Sequence, residues 1–299
     1  GTGAITVRAS QAGNASYQAA ADVDRVFTVS KSPQTITFPA IADRAFPGGG
    51  VVLAATASSG LPVNYTLVGG PATLVDGVVT PTGTGAITVR ASQAGNASYQ
   101  AAADVDRVFT VSKSPQTITF PAIANRSFPT GLIPLGATAS SGLPVSYAVV
   151  SGPATVSGGN LVVSGAGAVT VRASQPGSIN YLAATPVDVS FEVAKGRQTI
   201  DFAPLPPQVY PVSPIPLSAS ASSGLPLLCV VVSGPATETG GVLNVTSPGT
   251  VVIRMCQPGD ANFEAAEDIE RSFEVERGTY SLLWPAPAPI NVGTALASV

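Results

Sequence analysis

The chain has 299 residues and a formal net charge of −3, with charged residues at only 10%, well below the level usual for a soluble domain. That balance leaves no basic patch for nucleic acid, and no uninterrupted apolar run approaches the length of a membrane span. Histidine is absent, which removes a Ser-His-Asp triad, the usual general base and imidazole metal sites.

The opening stretch is a copy of a later one. Residues 1–42 match residues 83–124 letter for letter, and the identity breaks where Asp43 faces Asn125. The same offset of 82 relates Gln34, Gln116 and Gln198, each opening Q-T-I, and the SSGLP strings that begin at Ser58, Ser140 and Ser222. Gln11, Gln93, Gln175 and Gln257 mark four copies of Q-x-G at that spacing. A tandem array is therefore expected. Residues 1–31 read as the C-terminal part of a truncated repeat, and 32–113, 114–195 and 196–277 as full repeats. Residues 278–299 read as the start of a differently typed module, where Pro285, Pro287 and Pro289 follow Trp284. The chain opens inside a repeat without a signal peptide, so it is expected to be a piece of something longer.

Within one repeat the apolar residues alternate with a period of two. Ile36 and Phe38 form a first run, Leu53, Ala55 and Ala57 a second, and Val63, Tyr65 and Leu67 a third. Leu74-Val75, Asp76-Gly77 and Val78-Val79 spell a hairpin, because Asp-Gly accepts the positive φ angles of a tight primed turn. Ile87, Val89 and Ala91 make a sixth strand, and Val105, Arg107, Phe109 and Val111 a seventh. The fold class expected is all-β: immunoglobulin-like β-sandwich domains of about seven strands each, arranged as a rod. A closed barrel is the rival. SSGLP reads as the loop between the second and third strands, and Gly70-Pro71 as the next turn. The connection from Gln93 to Asp104 is the longest, and Tyr99, Tyr181 and Phe263 are expected to plug it onto the sandwich end. Junctions between repeats are short and contain proline, which leaves little hinge freedom.

The combination of QTITF, SSGLPVxY, SGPA, GAVTVRASQxG and a closing FxV resembles the mostly-bacterial immunoglobulin-like (MBG and Big-type) repeats of large extracellular and surface proteins. The tail from Trp284 to Leu296, with INVGTAL, looks like the opening of a related repeat type. The resemblance covers essentially the whole chain and is specific for the module, not for an activity. It implies stalks, adhesin shafts and filament subunits at the cell surface or outside the cell, and it supplies no catalytic residues.

Few constellations remain for chemistry. Asp22/Asp24 and Asp104/Asp106 sit two apart where the last strand begins, the spacing a junction calcium site would use. The third copy has Pro186 and Asp188 there, and the fourth Asp268 and Glu270, which favours solvated charges that discourage sideways pairing. Cys229 stands where Tyr65 and Tyr147 stand, and Cys256 where Ser92 and Ser174 stand. Their coincidence in one repeat suggests a disulfide between the third and sixth strands, neighbours in this fold. Alternation points Cys229 inward and Cys256 outward, so a bridge needs a bulge near the strand end, and two free thiols are the alternative. Lys31, Lys113 and Lys195 recur at the end of the last strand and invite an isopeptide crosslink, but the partner candidates Asp43 and Asn125 become Pro207.

The function expected is non-enzymatic, with no catalytic, cofactor or metal site. The array would form the shaft of an extracellular filament or cell-surface stalk and associate with copies of itself, because low charge does little to prevent edge pairing. The alternative is an adhesin module that binds a glycan or protein through sandwich-end loops, with Tyr99 and Tyr181 as the contact candidates.

Overall fold

The computed structural model describes residues 1–284, and it is all-β with no helix among them. Most of the expected module from Gly278 onward lies outside the described residues. Two strands open the chain, β1 (Gly3–Gln11) and β2 (Ala20–Val29), paired as a hairpin. The first complete copy follows with β3 (Ile36–Thr37), β4 (Arg44–Ala45), β5 (Val51–Val52), β6 (Thr56–Ala57), β7 (Asn64–Gly69), β8 (Ala72–Val75), β9 (Val78–Pro81), β10 (Gly85–Ser92) and β11 (Val105–Ser112).

These strands form a two-layer sandwich. One sheet has the order β4-β11-β10-β7; facing it are β5-β9-β8 and the pair β3-β6. This is the strand order of an immunoglobulin-like sandwich. Nine strands replace the expected seven for two reasons. The second run divides at Leu53, so that β5 pairs with β9 while β6 pairs with β3. In addition, the two-residue β4 lies parallel to β11, with Val111 opposite Arg44, a pairing that hydrophobic alternation alone cannot reveal. The Asp-Gly turn is as read: Asp76 has φ 48° and Gly77 φ 74°. At Gly70, φ is 101°, and an added Cβ would collide with the Ala86 carbonyl oxygen, so the Gly-Pro corner admits no side chain.

The core of this copy is Phe38, Leu53, Val79, Ile87, Val89, Ala91, Phe109 and Val111, all from the inward set of the period-two pattern. The next 82 residues repeat the elements as β12 (Ile118–Thr119), β13 (Arg126–Ser127), β14 (Ile133–Pro134), β15 (Thr138–Ala139), β16 (Ser146–Ser151), β17 (Ala154–Ser157), β18 (Asn160–Val163), β19 (Gly167–Ser174) and β20 (Val187–Ala194). The third copy gives β21 (Ile200–Phe202), β22 (Gln208–Val209), β23 (Ile215–Pro216), β24 (Ala219–Ala221), β25 (Leu228–Ser233), β26 (Ala236–Thr239), β27 (Val242–Val245), β28 (Gly249–Cys256) and β29 (Ile269–Glu276). Its four-stranded sheet runs β22-β29-β28-β25, matching the first copy strand for strand.

Two compact units emerge from the backbone. One holds Gly1–Pro121, Gly136–Tyr147 and Arg172–Asp188; the other holds Ala122–Leu135, Ala148–Val171 and the chain from Val189. The first unit contains the opening hairpin, the whole first copy and the β12-β15 pair. The second contains the β14-β18-β17 sheet and the whole third copy.

One sequence meets two environments in the first unit. Ile87, Val89 and Phe109 are 0%, 0% and 1% exposed, whereas the identical Ile5, Val7 and Phe27 are 42%, 55% and 52% exposed. Phe109→Ala should destabilise the first copy by about 3–5 kcal/mol, and Phe27→Ala should cost it less than about 0.5 kcal/mol. Native-state hydrogen exchange at the Val79 amide, which lies outside the duplicated stretch, checks the pair.

Candidate functional site: the loop end of each repeat and its junction

Three motifs that lie far apart in sequence meet at one end of each sandwich. Gln34, from Q-T-I, donates through Nε2 to Gln93 Oε1 at 3.0 Å and to the Gln100 carbonyl at 2.6 Å. Its Oε1 accepts from Ser59 Oγ, within SSGLP. Gln93, from Q-x-G, donates through Nε2 to the Pro62 carbonyl at 3.0 Å, and its Oε1 also accepts the Gly95 N–H. The same pair recurs as Gln116–Gln175 at 2.8 Å and Gln198–Gln257 at 2.9 Å. All six glutamines are buried. An amide withdrawn from water needs such partners, and here both hydrogens of the first glutamine are used. The cluster ties the first strand, the second-to-third loop and the long sixth-to-seventh connection into one rigid end.

That connection is then held against the preceding copy. Its tip is shaped by a side-chain oxygen that accepts two successive amides: Asn96 Oδ1 from Ser98 and Tyr99, Ser178 Oγ from Asn180 and Tyr181, and Asp260 Oδ1 from Asn262 and Phe263. In the first unit Tyr181 meets Phe46 edge-on, with ring centroids 5.8 Å apart. Asn180 Oδ1 accepts the Thr84 N–H at 3.0 Å, and Lys113 Nζ donates to the Ser178 carbonyl at 2.7 Å. In the second unit Phe263 meets Phe128 at 5.5 Å, Asn262 Oδ1 accepts the Ala166 N–H at 3.0 Å, and Lys195 Nζ donates to the Asp260 carbonyl at 2.6 Å. Edge-to-face aromatic pairs add modest attraction beyond the area they bury.

This placement changes the reading of the loop residues. Tyr181 packs on the neighbouring copy's Phe46, not on its own sandwich end, and it does not present a free aromatic platform. Tyr99 has the same turn, and its backbone bridges to Ser32, but residues 1–31 contain no counterpart of Phe46. The recurrent lysines serve the junction by closing on a loop carbonyl. The recurring aromatic-proline pairs Phe46-Pro47, Phe128-Pro129 and Tyr210-Pro211, at the offset of 82, were the signal for the other half of the contact.

The paired carboxylates have partners on the adjacent strand. Asp106 receives Arg90 Nε and Nη2 at 2.8 and 2.9 Å, and Asp104 lies 3.7 Å from the same guanidinium. Asp24 with Arg8, Asp188 with Arg172 and Glu270 with Arg254 repeat the arrangement. The Arg90 hydrogen bond holds the Asp106 carboxyl below its usual range. Among the described residues no cluster of three or more His, Cys, Asp or Glu is placed to hold a metal ion.

Cys229 and Cys256 are free thiols. Leu228 lies opposite Cys256 and Cys229 opposite Met255, so alternation puts the two sulfurs on opposite faces of the sheet. The bulge between these strands falls at Val231/Ser233, away from the cysteines. The coupled change lies one residue earlier. Tyr65 faces Ala91 in the first copy, whereas Cys229 faces Met255 in the third. A large–small pair has become a small–large pair, which keeps core volume nearly constant. The tyrosine hydroxyl that accepts the Ala55 N–H at 2.7 Å is lost in the exchange. Burial pushes the Cys229 thiol up, and Glu238 adds in the same direction.

Two predictions follow from this geometry. Gln93→Ala strips partners from Gln34, Gly95 and Pro62 and should cost about 1–3 kcal/mol, while Gln34→Ala in that background should cost clearly less than alone, as a double-mutant cycle by urea unfolding will register. Asn180→Ala should speed hydrogen exchange at the Thr84 amide while leaving Val89 and Ala173 protected, a pattern that separates loosening of the junction from loss of either core.

No family model matches the chain, and no curated protein does. Solved structures similar to it include Drosophila N-cadherin EC1-4, at 11% identity over 92% of this chain and 84% of that one, with a TM-score of 0.27. The I67-I69 fragment of the titin I-band shares 12% identity over 84% of this chain and 100% of that one, at 0.30. Surface layer protein SbsC, domains 1-6, shares 12% over 93% of this chain and 45% of that one, at 0.25. Likenesses this low carry no inference about role; the strand order within each copy establishes the immunoglobulin-like sandwich.

Proposed function

We propose that the chain is a non-enzymatic structural array of the mostly-bacterial immunoglobulin-like repeat type, serving as the shaft of an extracellular filament or cell-surface stalk. Its modules are residues 32–113, 114–195 and 196–277, with 1–31 and 278–299 belonging to further modules. The observation that carries the reading is the recurrent junction. Tyr181 on Phe46 and Phe263 on Phe128 commit the longest loop of a copy to its neighbour, together with an asparagine and a lysine. Loops used in this way set the angle between successive modules, which a shaft requires and a ligand-binding loop does not.

Self-association fits the same reading. Val68, Val150 and Val232 occupy one repeated position on the strand that ends the four-stranded sheet, and all three are exposed. An uncharged edge strand with apolar neighbours offers little resistance to lateral pairing. Rotary-shadowed electron microscopy of the full chain should give elongated particles, with bundles or filaments appearing as concentration rises. Compact particles would overturn the shaft, and dispersed monomers at high concentration would overturn self-assembly.

A further inference from the structure

Where the first two copies hold a tyrosine the third holds Cys229, and a pocket opens at that place. In the first copy the Tyr65 ring lies 5.8 Å from that of Phe38, and its hydroxyl stands 2.7 Å from the Ala55 nitrogen and 3.4 Å from the Ala55 carbonyl oxygen. The second copy repeats this with Tyr147, Phe120 and Ala137. In the third, a cavity of about 460 Å³ is lined by Leu217, Ala219, Leu227, Cys229 and Met255. The exchange conserves volume but not shape. Met255 is buried on β28, whereas the Tyr65 ring reaches the hairpin turn, where a Cβ on Gly77 would lie 4.0 Å from it. Gly241, the counterpart of Gly77, now borders the cavity.

The backbone at the polar end of this space keeps its direction. The Ser222 N–H donates to the Thr199 carbonyl at 2.9 Å, and bonded pairs alternate with unbonded ones along β21–β24. Phe202–Ala219 is therefore an unbonded pair, and the Ala219 N–H and carbonyl point away from β21, as those of Ala55 do to meet the tyrosine hydroxyl. With Cys229 in place of the tyrosine they lose that partner. A ring-sized apolar space with a donor and an acceptor at one end suits a phenol.

We propose that the third copy carries a binding site for a small para-substituted phenol. The ring takes the place that Tyr65 and Tyr147 fill in the other copies, and the hydroxyl meets the Ala219 backbone. Leu217, Leu227 and Met255 supply apolar walls. Burial holds the Cys229 thiol neutral, so binding is non-covalent. Glu238 borders the cavity with its Oε1 accepting the Gly241 N–H at 2.7 Å, and its charge favours the neutral phenol over phenolate. The site belongs to one module, and a shaft could carry it or lack it.

The test titrates 4-methylphenol, the tyrosine side chain as a free molecule, into the full chain and follows amide NMR shifts. Shifts should saturate at Ala219, Cys229 and Gly241 and leave Ala55 and Tyr65 unmoved. Toluene, which lacks the hydroxyl, should bind about fivefold more weakly. Alkylation by iodoacetamide, read by mass spectrometry, should slow about tenfold at Cys229 with 4-methylphenol at about ten times its dissociation constant, while Cys256 reacts at an unchanged rate. Cys229→Tyr combined with Met255→Ala restores the residues of the first two copies and should abolish the shifts. Absence of saturable shifts at the solubility limit of 4-methylphenol would overturn the proposal. So would equal binding of toluene, equal slowing at both cysteines, or Gly241 shifts that survive in the paired variant. The alkylation arm uses the unaltered chain and decides the matter even where the paired variant fails to fold. None of these outcomes bears on the elongated particles expected of the shaft.

Discussion

Two buried amides face each other at one end of every copy, and the rest of the architecture depends on their being satisfied. A glutamine side chain removed from water carries two donors and an acceptor that have to be matched, and the partners are the other glutamine, a serine hydroxyl, backbone carbonyls and the Gly95 amide. Meeting that demand brings the first strand, the SSGLP loop and the long connection to fixed positions. The connection can therefore be long without being loose, and its tip meets the neighbouring copy in a constant geometry. The order of causes runs from hydrogen-bond satisfaction, to loop shape, to junction, to array.

The junction itself combines weak parts. An edge-to-face aromatic pair, one asparagine carbonyl on a backbone amide and one lysine on a backbone carbonyl each contribute little. Their effect comes from being presented by rigid ends, so that forming one leaves little entropy to lose in forming the others. The third copy keeps the geometry while changing the letters, with Phe263 for Tyr181 and Asp260 for Ser178. What recurs is a ring at one position and an oxygen acceptor at another, and chemistry within those classes is free to vary.

Core packing follows the same logic of conserved function with exchanged residues. Cys229 looks unusual beside Tyr65 and Tyr147 until Met255 is placed opposite it. Space in a close-packed interior is shared between cross-strand partners, so a shrinking side chain can be matched by a growing one. The nearby Cys256 suggested a bridge because the two residue types coincide in one repeat, yet strand alternation turns its sulfur to the other face. The bidentate Arg90–Asp106 pair likewise gives the spaced carboxylates a cation on the next strand.

Read alone, the amino-acid chain determined the period of 82, the alternation that makes every element a strand, the Asp-Gly turn and the loop at SSGLP. These are local properties, set by side-chain period and by backbone angles that few residues accept. It also made a two-layer sandwich the expected fold, with a closed barrel as the rival, and the sheet order chose between them. Tertiary structure alone decided that Gln34 meets Gln93 and that Tyr181 belongs to the junction with Phe46. It also decided that Cys229 answers to Met255. Those outcomes depend on which surfaces are brought together across 26 to 135 positions of chain, and no local rhythm of letters encodes a neighbour at that distance.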